Sequence, residues 1–461
     1  MRRTKIVCTI GPASSKPTVL KKMVKAGMNV ARLNFSHGTH DQHEGFIKTL
    51  RALATETGEP ITIMQDLQGP KIRIGELPDK GIDLREGQTL HFSPRAKSFT
   101  EKERLIPVTY GGFSRDVKAG DRIMIDDGNV VCEVSNVQRG IVTARVRTGG
   151  LITSRKGVNL PDSSVRLSAL TAKDQKDVAF GVRFDVDMIV LSFVSNAEDI
   201  KKLRELIKRE EKRQGFKSRN IKIVAKVERA DAIHRIDEII EETDAVMIGR
   251  GDLGVEIPAA EVPIRQKEII KKCRCAGKPV IVATQMLESM KEKPSATRAE
   301  VSDIANAVID HADAVMLSAE SATGKYPVKA IQTLAEVAEV TEASVYDDLR
   351  PDELCVDKSD VAVASQLRIA LDGDGVDAIV TGTQFGDIAE HANRHRPEVP
   401  IFIAAHEEKA MNQLNLRWGV RPFLLKKARS SDSFEKTARA ELEELKLIKK
   451  TTKLLFITGG K

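Results

Sequence analysis

Short runs of β-branched and aliphatic residues alternate, through the first three quarters of the chain, with stretches whose apolar positions recur at helical spacing. Eight runs stand out: Lys5 to Gly11, Asn29 to Phe35, Ile61 to Leu67, Asp187 to Phe193, Lys222 to Val227, Ala245 to Gly249, Pro279 to Ala283 and Ala314 to Leu317. This is the pattern of repeated βα units. Eight parallel strands with intervening helices predict an α/β fold of the TIM (β/α)8 type, with the functional site at the strands' C-terminal ends.

Between the third and fourth runs the pattern changes to short alternating strands separated by glycine turns, with Asp126-Asp127-Gly128 reading as a hairpin turn. An inserted β-rich domain is therefore expected over 70–165, hinged on the barrel so that it closes as a lid. The barrel takes 1–69 and 166–345. Beyond a polar link through Asp347, Asp348, Arg350 and Pro351, the runs DAIVTG, PIFIAAH, PFLLK and KLLFITG alternate with amphipathic helices. They predict a doubly wound α/β domain over 346–461.

Composition narrows the function classes. Charged residues make up 30% of the 461 and hydrophobic residues 41%, the balance of a globular enzyme and not of a disordered or membrane protein. The N-terminal Met1-Arg2-Arg3 leads directly into a strand-like run with no signal-peptide core, so a cytoplasmic location and no membrane partner are expected. A net charge of +7 with only 4% aromatics argues for anionic small molecules rather than nucleic acid. The five cysteines are odd in number and scattered, which fits a reducing compartment. Only Cys273 and Cys275 are close, and no second pair completes a zinc site.

The strand ends carry the chemistry. Arg32, Asn34, Ser36 and His37 follow the second run, and Asp66 closes the third, with Lys71 and Arg73 just beyond. Lys226 and Glu228 alternate on the fifth, Gly249-Arg250-Gly251-Asp252 ends the sixth, and Thr284 and Ser318 follow the seventh and eighth. Cations for a moving phosphoryl group and carboxylates for its metal are what phosphoryl transfer requires. Singly, a Lys-x-Glu is a surface pair and a Gly-x-Gly a turn; their recurrence at one end of consecutive strands makes the case.

The stretches TIGPAS (9–14), GMNVARLNFSHG (27–38), KGVNLP (156–161), IVAKVERADAI (223–233), GRGDLGVEIP (249–258), ATQMLESM (283–290) and TRAEVSDIANAV (297–308) resemble the pyruvate kinase family, collinearly across barrel and lid. The resemblance implies a glycolytic enzyme that moves the phosphoryl group of phosphoenolpyruvate to ADP, giving pyruvate and ATP. It implies Mg2+, with Mn2+ as a substitute, on Glu228 and Asp252, and Lys226 against the transferring group. It places Arg32 and Arg73 on the phosphate, and Gly251, Asp252 and Thr284 on the carboxylate. Thr284 and Ser318 would serve the proton route, Pro12, His37 and Lys156 would border the nucleotide, and the assembly would be a homotetramer.

Two departures from the family pattern carry expectations. The monovalent-cation region, Asn34, Ser36 and Asp66, is followed by Leu67-Gln68-Gly69-Pro70-Lys71 where many members have Thr-Lys-Gly-Pro-Glu; this resembles the K+-independent branch, with Lys71 supplying the charge. The stretch Thr381 to Asp387 places phenylalanine and aspartate where members responsive to fructose 1,6-bisphosphate have small hydroxyl and basic residues, and the family's last effector loop is not found before Lys461. No activation by that ligand is expected. A large rate increase on titrating it at subsaturating phosphoenolpyruvate would overturn this. Two other readings stay open at this stage: a Mg-dependent lyase acting on a pyruvate-like enolate, and a non-catalytic ligand-binding relative. Structural readings also stand beside the functional ones, with His37 as a turn cap, Lys71 as a solvated hinge lysine and Trp418 packed in the C-terminal domain.

Overall fold

The computed structural model describes residues 1–163, 165–349, 355, 375–385, 393–425 and 431–458. Eight parallel strands close into a barrel: Lys5–Ile10, Val30–Asn34, Thr62–Asp66, Met188–Leu191, Lys222–Val227, Ala245–Gly249, Val280–Ala283 and Ala314–Leu317. The first pairs with the eighth in the register Lys5 to Ala314 and Cys8 to Leu317, which removes both sheet edges. Each sequence run thus becomes one strand.

The two-residue period of these strands sorts their side chains. Val7, Val30, Met64, Val190, Val224, Met247, Ile281 and Met316 fill the barrel interior, with Leu416 from the C-terminal domain inserted among them. The alternate residues, such as Ile6, Cys8, Leu33, Ile63, Leu191, Ile223 and Leu317, pack outward under the helices. Two residues beyond the inward apolar layer, the same phase delivers Thr9, Arg32, Asp66, Ser192, Lys226 and Ser318 to one end of the barrel. The site is therefore a continuation of the core pattern in polar residues.

Between the third and fourth strands lies a six-stranded, largely antiparallel sheet with its own core, including Leu90, Phe92, Phe113, Ile123, Cys132, Val142 and Val146. The hairpin joining Arg122–Ile125 to Val130–Gln138 turns through Asp126, Asp127 and Gly128, all at positive φ, which suits Asp and Gly. Asn159 in this insert donates to Glu256 at 2.9 Å and ties it to the barrel.

The C-terminal sheet is four-stranded and parallel, with Ala378–Gly382 and Ile401–Ala405 at its centre and Val420–Leu424 and Leu454–Phe456 outside. It docks on the N-terminal face of the barrel, away from the polar strand ends. Asn415 Nδ2 donates to the carbonyls of Asn29 and Pro60, and the Trp418 N–H donates to Asp313 Oδ1 at 2.9 Å. Trp418 is fully buried, with the Arg3 and Arg396 guanidinium groups each 5.2 Å from its ring. Of the stretch expected to fail fructose 1,6-bisphosphate, Gly386 and Asp387 lie outside the described residues, as do 459–461. The Thr381 hydroxyl is buried and donates to the Ile457 carbonyl, so it is already engaged within the sheet.

The reading of the five cysteines as scattered, unpaired thiols is corrected for two of them. Cys275 is joined by a disulfide to Cys355, whereas Cys273, its neighbour two positions away, is buried and free. A helix turns about 200° over two residues, so 273 and 275 face opposite ways and make no metal pair. Among the described residues no helix is long and apolar enough to cross a membrane.

Candidate active site

A cleft of about 420 Å³ opens at the C-terminal ends of the barrel strands. Arg32, Asn34, Ser36, His37, Asp66, Leu67, Lys71, Arg73, Lys226, Glu228, Asp252, Thr284 and Ser318 all line it. Of the residues picked out in the sequence, Pro12, Lys156 and Gly251 do not line this cavity. Pro12 opens a short 3-10 turn beyond the first strand, Lys156 is paired with Asp126 in the insert at 2.8 Å, and Gly251 sits behind Thr284.

Charge is arranged in a tight alternation on the cleft floor. Asp66 accepts from Arg32 Nε at 2.6 Å and from the Ser192 hydroxyl at 3.2 Å, while Lys226 Nζ stands 3.9 Å away. Arg32 is fixed at its other end by Thr9 Oγ1 at 2.8 Å. Lys226 Nζ lies 2.8 Å from Glu228 Oε1, and the other Glu228 oxygen accepts the Phe193 N–H at 3.1 Å. Burial opposes ionisation of Asp66, yet Lys226 and Arg32 outweigh it and hold that carboxyl below its ordinary range. For Glu228 burial prevails, reinforced by Asp252, and pushes the carboxyl up to about 7. Burial also works against the Lys226 ammonium, but Asp66 and Glu228 win and hold it above the ordinary lysine range.

A buried carboxylate under that strain, with a second carboxylate across the cleft, is a fitting seat for a hard cation. Among the described residues no cluster of three His, Cys, Asp or Glu side chains exists. Glu228 and Asp252 could form a two-carboxylate oxygen site, a donor set that fits Mg2+ because that ion keeps waters and substrate oxygens in its shell. Gly249 makes room for the Glu228 side chain: a Cβ there would stand 2.7 Å from Glu228 Cγ.

Thr284 and Gln285 follow the seventh strand at φ of 71° and 57°, a conformation costly for a β-branched residue and held only by its surroundings. The result is that Thr284 Oγ1 accepts the Gly251 N–H at 2.8 Å. That N–H, expected to face the substrate carboxylate, is occupied by the threonine in this state. Ser318 is set by Glu320, a fully buried carboxylate that accepts both the Ser318 and the Leu287 N–H groups. Lys71 packs over Gly157, where a Cβ would come within 2.8 Å of Lys71 Cε, and its ammonium reaches Asp252 Oδ1 at 3.4 Å.

Sequence reasoning missed Thr9, Ser192, Phe193 and the positioning role of Glu320. The signal for Thr9 and Ser192 was present, since each stands two residues beyond an inward apolar residue, Val7 and Val190.

A closed α/β barrel with buried cations and carboxylates gathered at its strand ends is an arrangement suited to metal-dependent phosphoryl transfer. The comparisons with known proteins specify the family. Residues 1–331 match the family model for the pyruvate kinase barrel domain and 361–461 that for the pyruvate kinase alpha/beta domain. The pyruvate kinase of Geobacillus stearothermophilus is 44% identical over 91% of this chain and 71% of its own length. That of Clostridium acetobutylicum is 37% identical over 100% and 96%. A crystal structure of a pyruvate kinase from Cryptosporidium parvum superposes with a TM-score of 0.91 at 32% identity, covering 99% of this chain and 94% of that one. The chain belongs to the pyruvate kinase family. Its reaction is phosphoryl transfer from phosphoenolpyruvate to ADP, giving pyruvate and ATP. The family uses a divalent metal.

Proposed function

We propose that the transfer runs across the Lys226–Glu228 pair and that Lys71 replaces the monovalent cation. The observation that carries this is the placing of both ammonium groups in one cleft, Lys226 at 2.8 Å from Glu228 and Lys71 at 3.4 Å from Asp252. Glu228 and Asp252 would hold Mg2+, or Mn2+, which would supply positive charge to offset the charge on the phosphoryl oxygens. Arg32, locked by Asp66 and Thr9, and Arg73 at the cleft rim hold the phosphate.

As the phosphorus–oxygen bond of phosphoenolpyruvate breaks and one to the terminal ADP oxygen forms, Lys226 meets charge on both oxygens without reorganising. The Thr284 hydroxyl and the Gly251 and Asp252 N–H groups orient the substrate carboxylate, with Gly251 exchanging its Thr284 contact for the ligand. The remaining enolate takes a proton at its methylene carbon through Thr284 and Ser318, relayed by water because a lone hydroxyl is too weak an acid. Pro12, His37 and Lys156 border the nucleotide, and the insert, with boundaries at 70 and 165, closes over it and frees Lys156 from Asp126.

The enzyme acts in the cytoplasm as a homotetramer; a solution mass by light scattering well below four chains would contradict the assembly. The site assignment is tested by titrating Mg2+ into ADP-dependent pyruvate formation. Gly249→Ala pushes a methyl into Glu228, which Phe193 and Lys226 prevent from yielding, so the Mg2+ requirement should rise roughly tenfold, about 1.4 kcal/mol. An unchanged Mg2+ requirement would remove Glu228 from the metal, and pyruvate release without ADP would return the lyase reading.

A further inference from the structure

The seam between barrel and C-terminal domain holds a bond that the transfer reaction does not use. We propose that Cys275 and Cys355 form a redox-responsive tether that holds the C-terminal domain against the barrel. Cys275 ends the helix Val262–Cys275, and Cys355 lies beyond the last barrel helix, Pro327–Glu342, on the way to the first C-terminal strand described. Their Cα atoms are 5.0 Å apart, within the span a disulfide bridges. The loop so closed, 80 residues in sequence, contains the seventh and eighth barrel strands, which deliver Thr284 and Ser318.

The helix end carrying Cys275 is itself a docking point. Arg417 Nη1 donates to the Gly277 carbonyl at 3.0 Å, and next in sequence the Trp418 N–H is held by Asp313. A covalent link here limits how far that seam opens. The other cysteines do not compete. Cys8, Cys132 and Cys273 are buried, and burial pushes the Cys132 thiol up to about 12 and the other two higher, leaving almost no thiolate to exchange.

The oxidant is a small disulfide such as oxidised glutathione. One protein thiolate attacks it and expels a glutathione thiolate; the second attacks the mixed disulfide and expels the other. Two electrons pass to glutathione, and the two cysteine protons end on the two released thiols. Excess reduced glutathione runs the exchange backwards.

The full chain is equilibrated in oxidised or reduced glutathione buffer, acid-quenched, alkylated while denatured, and weighed. Three cysteines should be modified after oxidation and five after reduction. In parallel, amide hydrogen exchange at Trp418 should quicken roughly tenfold on reduction, and Cys275→Ser should match the reduced protein in both buffers. Five modified cysteines in the oxidised sample, or equal exchange at Trp418 in the two buffers, would overturn the tether.

Discussion

Lys226→Met is expected to lose phosphoryl transfer by at least roughly a thousandfold, about 4 kcal/mol of transition-state stabilisation, while the protein stays folded. Lys226 stands on the cleft floor, 2.8 Å from Glu228 and 3.9 Å from Asp66. Arg32 still holds Asp66 when it is gone, and Glu228 keeps the Phe193 N–H and would keep the Mg2+ charge beside it, so it is not left an unpaired buried charge. Methionine fills the space of the lysine stem. The Thr284 and Ser318 hydroxyls are untouched, so slow exchange of the pyruvate methyl protons with solvent should persist. Near-normal turnover in the variant, with circular dichroism unchanged, would remove Lys226 from the mechanism.

Lys71→Glu is expected to lower turnover in K+-free buffer by tenfold or more, about 1.4 kcal/mol, with partial recovery when KCl is added. The substitution replaces a unit positive charge beside Asp252 with a negative one, and the two carboxylates then repel each other and the substrate phosphate. Asn34, Ser36 and Asp66 line the same cleft as Lys71, so under the proposal added K+ has oxygens there to replace the lost ammonium charge. A variant as active as the parent without K+ would return Lys71 to the role of a solvated hinge lysine.

The barrel was legible because its strands are buried on both faces. That burial makes each a short β-branched run that stands out against the longer helical period. The main site followed from one rule, that polar residues continuing the inward phase past the apolar layer meet at one end, which is how Arg32, Asp66, Lys226, Glu228 and Ser318 come together. The same rule reaches Thr9 and Ser192, which were passed over because a lone hydroxyl at a strand end carries no charge to mark it, although they anchor Arg32 and Asp66. The left-handed backbone of Thr284 was illegible in principle, since a β-branched residue argues against it, and only contacts made after folding hold it there. Nothing local announces that Glu320 binds the Leu287 N–H, or that Cys275 meets Cys355 across 80 residues.

If Lys71 supplies the monovalent charge from within the chain, the parent enzyme's response to potassium shows it most directly. Turnover is measured in potassium- and ammonium-free buffer at saturating Mg2+, phosphoenolpyruvate and ADP, and again after adding KCl at matched ionic strength. With the Lys71 ammonium in place the rate should change by less than about twofold. A rise of about tenfold or more on adding KCl would contradict it.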